Sequence, residues 1–352
     1  MADVKLKVNK NIYAAWTKVN IYSTMDAISG IAELESVNFY QGNLSDWEFK
    51  LGDNFQLLID DQLVMTGYID QIDLIYKNRM HFLKLILRDK TADLVDCNWN
   101  EDVTEWKNQT VLNLTQNLCN PFNIQGASDS EVAGEIGKII ETFKINEGEC
   151  ISDAIMRYCN QFDLIPLSYG DGYLTLSKST NTKKSYDAID LNANVVSRIA
   201  VYSNLERFSN YIVKGMGCGT DQKNNYTDYI QPAGSVEDSV IQRYRPITFF
   251  DDVVTDAGKC EERAKWIKQV RAGQSRGLNY TVVGWGQSNG DIWRINRIVR
   301  VSDPMAGIDK DMLISSVRYT FRNEEGTKTE LTVVDKNTYT KVQRDIKTEF
   351  DL

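Results

Sequence analysis

Asp251 and Asp252 follow Phe249 and Phe250, and Glu147 and Glu149 flank Gly148. These four carboxylates are where hydrolytic chemistry would have to be sought. Cleavage of a glycosidic bond needs two carboxyl groups facing each other across a cleft, roughly 5 to 10 Å apart, one of them with a raised pKa. Other acidic groups fall at Asp60 and Asp61, at Glu101, Asp102 and Glu105, and at Asp153 and Asp256. Acidic clusters in polar stretches are ordinarily solvated surface. Nothing in the spacing sets a pair in an apolar pocket, so we assign no catalytic, cofactor-binding or metal-binding residue.

The remaining chemistry-bearing residues narrow the choice further. His81 is the single histidine, and it sits within an alternating apolar stretch, where a partly buried structural place is expected. One histidine excludes multi-histidine metal sites and leaves little for Ser-His-Asp or Cys-His nucleophilic catalysis. The six cysteines, Cys97, Cys119, Cys150, Cys159, Cys218 and Cys260, form no Cys-x-x-Cys pair and match no zinc spacing. Irregular single cysteines of this kind are expected to be small buried apolar residues. The run from Gly215 to Gly219 lacks both the Lys-Ser/Thr ending of a phosphate loop and the dinucleotide spacing, so it reads as a turn. No Asp-x-Asp-x-Asp-Gly calcium loop occurs.

Forty Lys and Arg against 49 Asp and Glu give a net charge of −9. That balance disfavours a specific nucleic-acid grip, which needs clustered cations. No apolar run approaches the roughly 20 residues that span a bilayer, so no membrane insertion is expected. The first residues alternate as a strand and do not build a charged segment with an apolar core. We therefore expect no secretory signal, and the sequons at Asn108 and Asn279 carry no weight.

Three stretches of different grammar must position these residues. Residues 1–98 read as mostly strand: 5–9 and 31–40 alternate, and 13–22 mixes aromatic and β-branched residues around Trp16. In 68–76, Tyr68, Asp70, Ile72, Leu74 and Tyr76 are expected on one face and Ile69, Gln71, Asp73 and Ile75 on the other, both partly apolar. A sheet packed against its own core and a neighbouring subunit has this pattern. Residues 99–195 predict a helix capped by Thr110 with Val111, Leu114 and Leu118 inward, and a second with Ile151, Ala154, Ile155, Tyr158 and Phe162. A hairpin turning at Gly170-Asp-Gly172 follows. In 196–352, strands return at 210–215 and 278–286. Residues 220–252 have no firm period and are expected as a long loop or a strand pair facing a partner. The helix 255–272 is predicted with Thr255 or Asp256 as cap, Ala257, Cys260, Ala264 and Ile267 inward, and Gly273 as its stop.

One pattern occurs twice. Residues 55–60, 63–76 and 80–90 form a shorter strand, a longer alternating strand and a closing strand ending in Asp89-Lys90. Residues 295–303, 312–321 and 328–336 repeat it, ending in Asp335-Lys336. Two copies of one β module in a chain let a trimer place six similar modules in a ring.

The duplicated module, the helix–hairpin insert, the entry strand Ser203-Asn-Leu-Glu-Arg-Phe-Ser-Asn-Tyr-Ile-Val-Lys-Gly215, and Trp293 to Asp303 leading into the last strands resemble baseplate hub proteins of contractile phage tails. The resemblance is to the Mu-like, P2 D-like and PBSX-like hubs, tailocins included, and covers most of the chain. It implies a mainly β fold with α (α+β): two tail-tube-like antiparallel β-barrel or sandwich domains, 1–98 and 196–352, around a small helix–hairpin insert domain, 99–195. It implies a homotrimer in a pseudo-sixfold ring that joins the tail tube protein to the central spike protein and touches other baseplate proteins. It also implies synthesis in the bacterial cytoplasm, incorporation into the virion or tailocin baseplate, and no enzymatic role or cofactor. The rival is a tail-associated peptidoglycan hydrolase using Asp251, Asp252, Glu147 and Glu149. A third reading, a carbohydrate-binding adhesin, needs exposed aromatic residues in a row. Trp47, Trp285 and Trp293 lie on strands or beside turns, where packing accounts for them.

Overall fold

The computed structural model describes residues 3–38, 50–77, 80–179, 182–216, 231–251 and 256–339. Trp47, Cys218, Asp252, Thr255 and most of the run from Gly215 to Gly219 lie outside the described residues. The chain divides into two compact units, Met1–Ile199 with Asn279–Val333, and Ala200–Leu278 with Val334–Leu352.

In the first unit, strands β1 (Val4–Val8), β2 (Asn11–Tyr13), β3 (Lys18–Thr24), β4 (Ile31–Asn38), β5 (Asn54–Ile59), β6 (Gln62–Lys77) and β7 (Met80–Asp89) pair antiparallel. Alternation sets their faces. Val4, Leu6 and Val8 are buried while Lys5 and Lys7 stand outward, as a period of two requires. The stretch 13–22 is not one strand: it breaks between β2 and β3, where Ala15 takes φ 69°. The expected faces of β6 are also corrected. Asp70 is an extra residue in a bulge opposite β7, because Ile69 pairs with Leu87 but Gln71 with Ile86. The bulge moves Ile72, Leu74 and Tyr76 onto the face of Ile69.

The insert follows: α1 (Ala92–Asp96), β8 (Glu105–Thr110), α2 (Val111–Cys119), β9 (Gln125–Ser128), α3 (Ala133–Ile136), β10 (Ile139–Lys144), α4 (Ile151–Cys159), β11 (Ile165–Leu167) and β12 (Tyr173–Ser177). Thr110 caps α2 by accepting from Asn113 N–H at 3.2 Å. Helix α4 buries Ile151, Ala154, Ile155 and Tyr158 as its spacing predicts, but ends at Cys159, so Phe162 packs from the turn beyond. Tyr158 shares a buried 2.7 Å hydrogen bond with Thr115 of α2, which locks the two helices together. The hairpin β11–β12 turns through Gly170 and Gly172, both at positive φ. At Gly170 a side chain would meet Val64 O of β6 at 1.8 Å, so only glycine lets the turn lie against that strand.

Strands β13 (Ile189–Asp190), β14 (Val195–Tyr202), β18 (Arg276–Val283), β19 (Ile298–Asp303), β20 (Ile308–Arg322) and β21 (Gly326–Asp335) complete the sheet. Its order is β14-β18-β21-β20-β3-β4-β7-β6-β5-β1-β2, with β19 paired to β20 and β13 to β19. Trp285, Trp293, Tyr280 and Tyr319 are buried here.

The second unit holds β15 (Asn210–Gly215) between β16 (Ala233–Glu237) and β17 (Pro246–Asp251), with α5 (Ala257–Gln274) laid on the sheet. Part of the stretch expected without period is therefore two strands. Asp256 caps α5 by accepting from Lys259 N–H at 2.8 Å, and Cys260, Ala264 and Ile267 are buried. Two expectations for this helix fail. Ala257 is exposed in the first turn, and Gly273 does not stop the helix, which runs on to Gln274. Gly273 is needed for close approach: a side chain there would stand 2.3 Å from Thr338.

Candidate assembly interface

Of the four candidate carboxylates, Glu147, Glu149 and Asp251 are among the described residues, and each has a place that needs no catalytic role. Glu149 accepts from Arg157 Nε at 3.0 Å and Nη2 at 2.8 Å and from Asn146 N–H at 2.9 Å, a clamp that ties the 146–149 turn to α4. Glu147 is exposed. Asp251, at the end of β17, stands 3.6 Å from Arg263 of α5. Of the other acidic positions, Asp60 and Asp61 make the left-handed turn between β5 and β6, Asp256 is a helix cap, and Glu101, Asp102, Glu105 and Asp153 are exposed. Among the described residues no group of three or more His, Cys, Asp and Glu could hold a metal ion. His81 is half-buried with its ring 4.9 Å from Tyr76. Burial pushes the Cys119 thiol up to about 12 and the Cys159 thiol higher still, so neither is a nucleophile. Trp285 and Trp293 are buried, which removes them from any exposed aromatic row. No helix among the described residues is long and apolar enough to cross a membrane.

What the fold does assemble is a pair of matching meanders. Strands β5, β6 and β7 run 6, 16 and 10 residues; β19, β20 and β21 run 6, 15 and 10. Each short strand pairs with the first half of its long strand, and each closing strand with the second half. Beyond the closing strand come β4 and then β3 in the first meander, and β18 and then β14 in the second. The strand order β5-β6-β7-β4-β3 is thus repeated as β19-β20-β21-β18-β14. The two copies are joined directly: β20 pairs antiparallel with β3, from Ser316 opposite Thr24 to Arg322 opposite Lys18. At this joint Val317 and Tyr319 of β20 and Val19 and Ile21 of β3 are all buried.

Buried polar groups fix the surroundings of the second meander. Asp303, fully buried at the end of β19, accepts from Tyr280 Oη at 2.8 Å, Arg198 Nη1 at 3.1 Å and Ala306 N–H at 3.0 Å. Burial alone would raise its pKa, but these donors hold it below the usual carboxylate value. Asn296, also fully buried, donates to Lys178 O at 2.9 Å and to the Ser177 and Tyr169 hydroxyls of the insert. A polar cleft of about 620 Å³ lies nearby, lined by Gln62, Lys184, Tyr186, Gln287, Arg294 and Arg297 among others. In the second unit, Arg207 of the entry segment forms a buried two-point pair with Asp238, Nε to Oδ2 at 2.6 Å and Nη2 to Oδ1 at 3.2 Å. Tyr211 Oη accepts from Phe208 N–H at 3.0 Å. The Ser-Asn-x-x-Arg-Phe run is therefore a structural clamp.

Comparison with known proteins agrees with this architecture. Three family models match successive parts of the chain: the N-terminal domain of Mu phage baseplate assembly protein GpP-like proteins at residues 3–89, the second domain of baseplate hub protein gp44-like proteins at 91–178, and the fourth domain of Mu phage baseplate assembly protein GpP at 256–341. Baseplate hub protein gp44 of Escherichia phage Mu is 26% identical over 341 residues, 95% of this chain and 88% of its own. The chain belongs to the Mu-like phage baseplate hub family. Its role is that of a structural baseplate hub. The crystal structure of a 43 kDa tail protein of prophage MuSo2 from Shewanella oneidensis superimposes with a TM-score of 0.83 at 28% identity, covering 96% of this chain and 99% of that one. A tail protein from Neisseria meningitidis MC58 shares the fold with a TM-score of 0.81 at 20% identity, covering 96% and 98%. The mainly β architecture with a few helices is that of these tail proteins.

Proposed function

We propose that three copies of this hub close into a ring of six meander modules, three-fold in chains and nearly six-fold in modules. A ring of this kind matches a sixfold tail tube on one side and a threefold spike on the other, because duplicating a module turns three subunits into six similar surfaces. The repeated strand order, with its β20–β3 joint inside one chain, is the observation that carries this reading. The chain is then organised functionally as two tube-like domains, 1–98 and 196–352, flanking an insert domain, 99–195, that reaches other baseplate proteins. It acts by surfaces and not by catalysis. It is made in the bacterial cytoplasm and ends in the virion or tailocin baseplate.

The test is genetic and visual. Particles produced without this chain are expected to lack baseplate-bearing tails in negative-stain micrographs, and a plasmid copy restores them. Complete tails with a tube seated on a spike in its absence would contradict the proposal.

A further inference from the structure

The two meanders match strand for strand, yet they differ at one edge. The second half of β20 has β21 on one side and β3 on the other. The second half of β6, residues 71–77, has β7 on one side and no strand on the other among the described residues. At the far end of the sheet β14 stands in the place of β3 and is likewise an edge. We propose that residues 71–77 of β6 receive β14 of a second copy of this chain, repeating between copies the joint that β20 and β3 make within one. The proposal rests on the ring reading above and names the surfaces that close it.

Three observations support the match. First, the side chains correspond. Leu74 and Tyr319 both stand three residues before the end of their strands, so Ile72, Leu74 and Tyr76 take the places of Val317, Tyr319 and Phe321. The apolar type is kept at all three, but the exposure is not. Tyr319 is 3% exposed under its partner strand, whereas Leu74 is 63% and Tyr76 66% exposed. The bulge at Asp70 puts Leu74 and Tyr76 on the face of Ile69, so a buried apolar face runs out uncovered at the edge.

Second, β14 is uncovered to the same degree. Val196, Ile199, Val201 and Tyr202 are all exposed, although in β3 the equivalent strand buries Val19 and Ile21. An apolar edge strand with unpaired backbone groups is a template for pairing with another chain.

Third, the lengths and register fit. Arg198 and Tyr280 meet at Asp303, and Ser203 N–H donates to Ser275 O, which sets Ala200 beside Leu278 as Ile21 is set beside Ala32. Since Tyr319 pairs with Ile21, Leu74 is placed opposite Ala200 of the second copy. Ile75 then faces Ile199, and Ile72 faces Tyr202. The seven residues of the open half of β6 match the eight of β14. Because the two edges are different surfaces of the chain, the contact is head-to-tail, the type that generates a ring.

Cross-linking in purified tails tests the edge. Ile75→Cys with Ile199→Cys in one chain, treated with a short bis-maleimide, is expected to give covalent dimers and trimers on a denaturing gel. Each single variant should remain at the wild-type background set by the native cysteines. Both sites are exposed, and Leu74→Cys with Ala200→Cys is a second pair on the opposite face. A baseplate reconstruction from the same tails separates the two ideas. A three-copy ring with neither pair cross-linking overturns the edge and leaves the ring. A reconstruction without that ring overturns both.

Discussion

Asp89 ends β7, 2% exposed, and accepts a short hydrogen bond from Ser168 of the insert. Burial raises its pKa from 3.8 to about 6, against the pull of the Ser168 hydroxyl and the Thr91 backbone. A raised carboxylate favours the folded state when protonated. Its contribution is complete below the unfolded value near 4 and is lost as pH rises through about 6. The displacement from 3.8 to about 6 is worth about 3 kcal/mol once both states are ionised. Asp89→Asn removes the titration. Urea unfolding of wild type and variant at pH 4 and pH 8 should therefore show the variant gaining about 2 kcal/mol relative to wild type over that interval. Any constant offset from the altered hydrogen bonding cancels in this difference. Stability curves that stay parallel from pH 4 to pH 8 would refute the reasoning, since a solvated Asp89 gives no differential slope.

The second unit supplies two further tests. Arg207→Ala strands Asp238 as an unpaired buried charge and is expected to cost about 3 kcal/mol or more in chemical denaturation; a loss below about 1 kcal/mol would mark the pair as a surface contact. Gly273→Ala gains helix propensity of about 1 kcal/mol but collides with Thr338, so we expect a lower Tm than wild type. Adding Thr338→Gly should restore it, because the Thr338 Cβ itself would stand 2.8 Å from the new methyl group. No rescue would return Gly273 to the role of helix terminator.

Local pattern made much of this fold legible in the sequence. The alternation of β5, β6, β19 and β20, the Thr110 cap and the α4 spacing depend on neighbours within a few residues, and they appear where expected. The β20–β3 joint was not legible, because it pairs residues nearly three hundred positions apart, as in the Arg318–Asn20 hydrogen bond. A bulge at Asp70 leaves no compositional mark, so simple alternation gives the wrong faces of β6 beyond it. Gly273 is ambiguous in the sequence because glycine serves both helix ends and close contacts, and only Thr338 distinguishes them. The carboxylates illustrate the same limit: Glu149 reads as a candidate acid until Arg157 is found clamping it. The β16 and β17 strands were legible only as one of two alternatives, a strand pair or a long loop, because each is five or six residues long with a half-buried inner face too short to set a firm period.

The most direct measurement of the central claim is a cryo-EM reconstruction of the baseplate in purified tails, refined without imposed symmetry. Three copies of the chain arranged as six meander modules around one axis, between tube and spike, are predicted. A hub with any other copy number, or with its two meanders at unequal radii from the axis, would contradict the account.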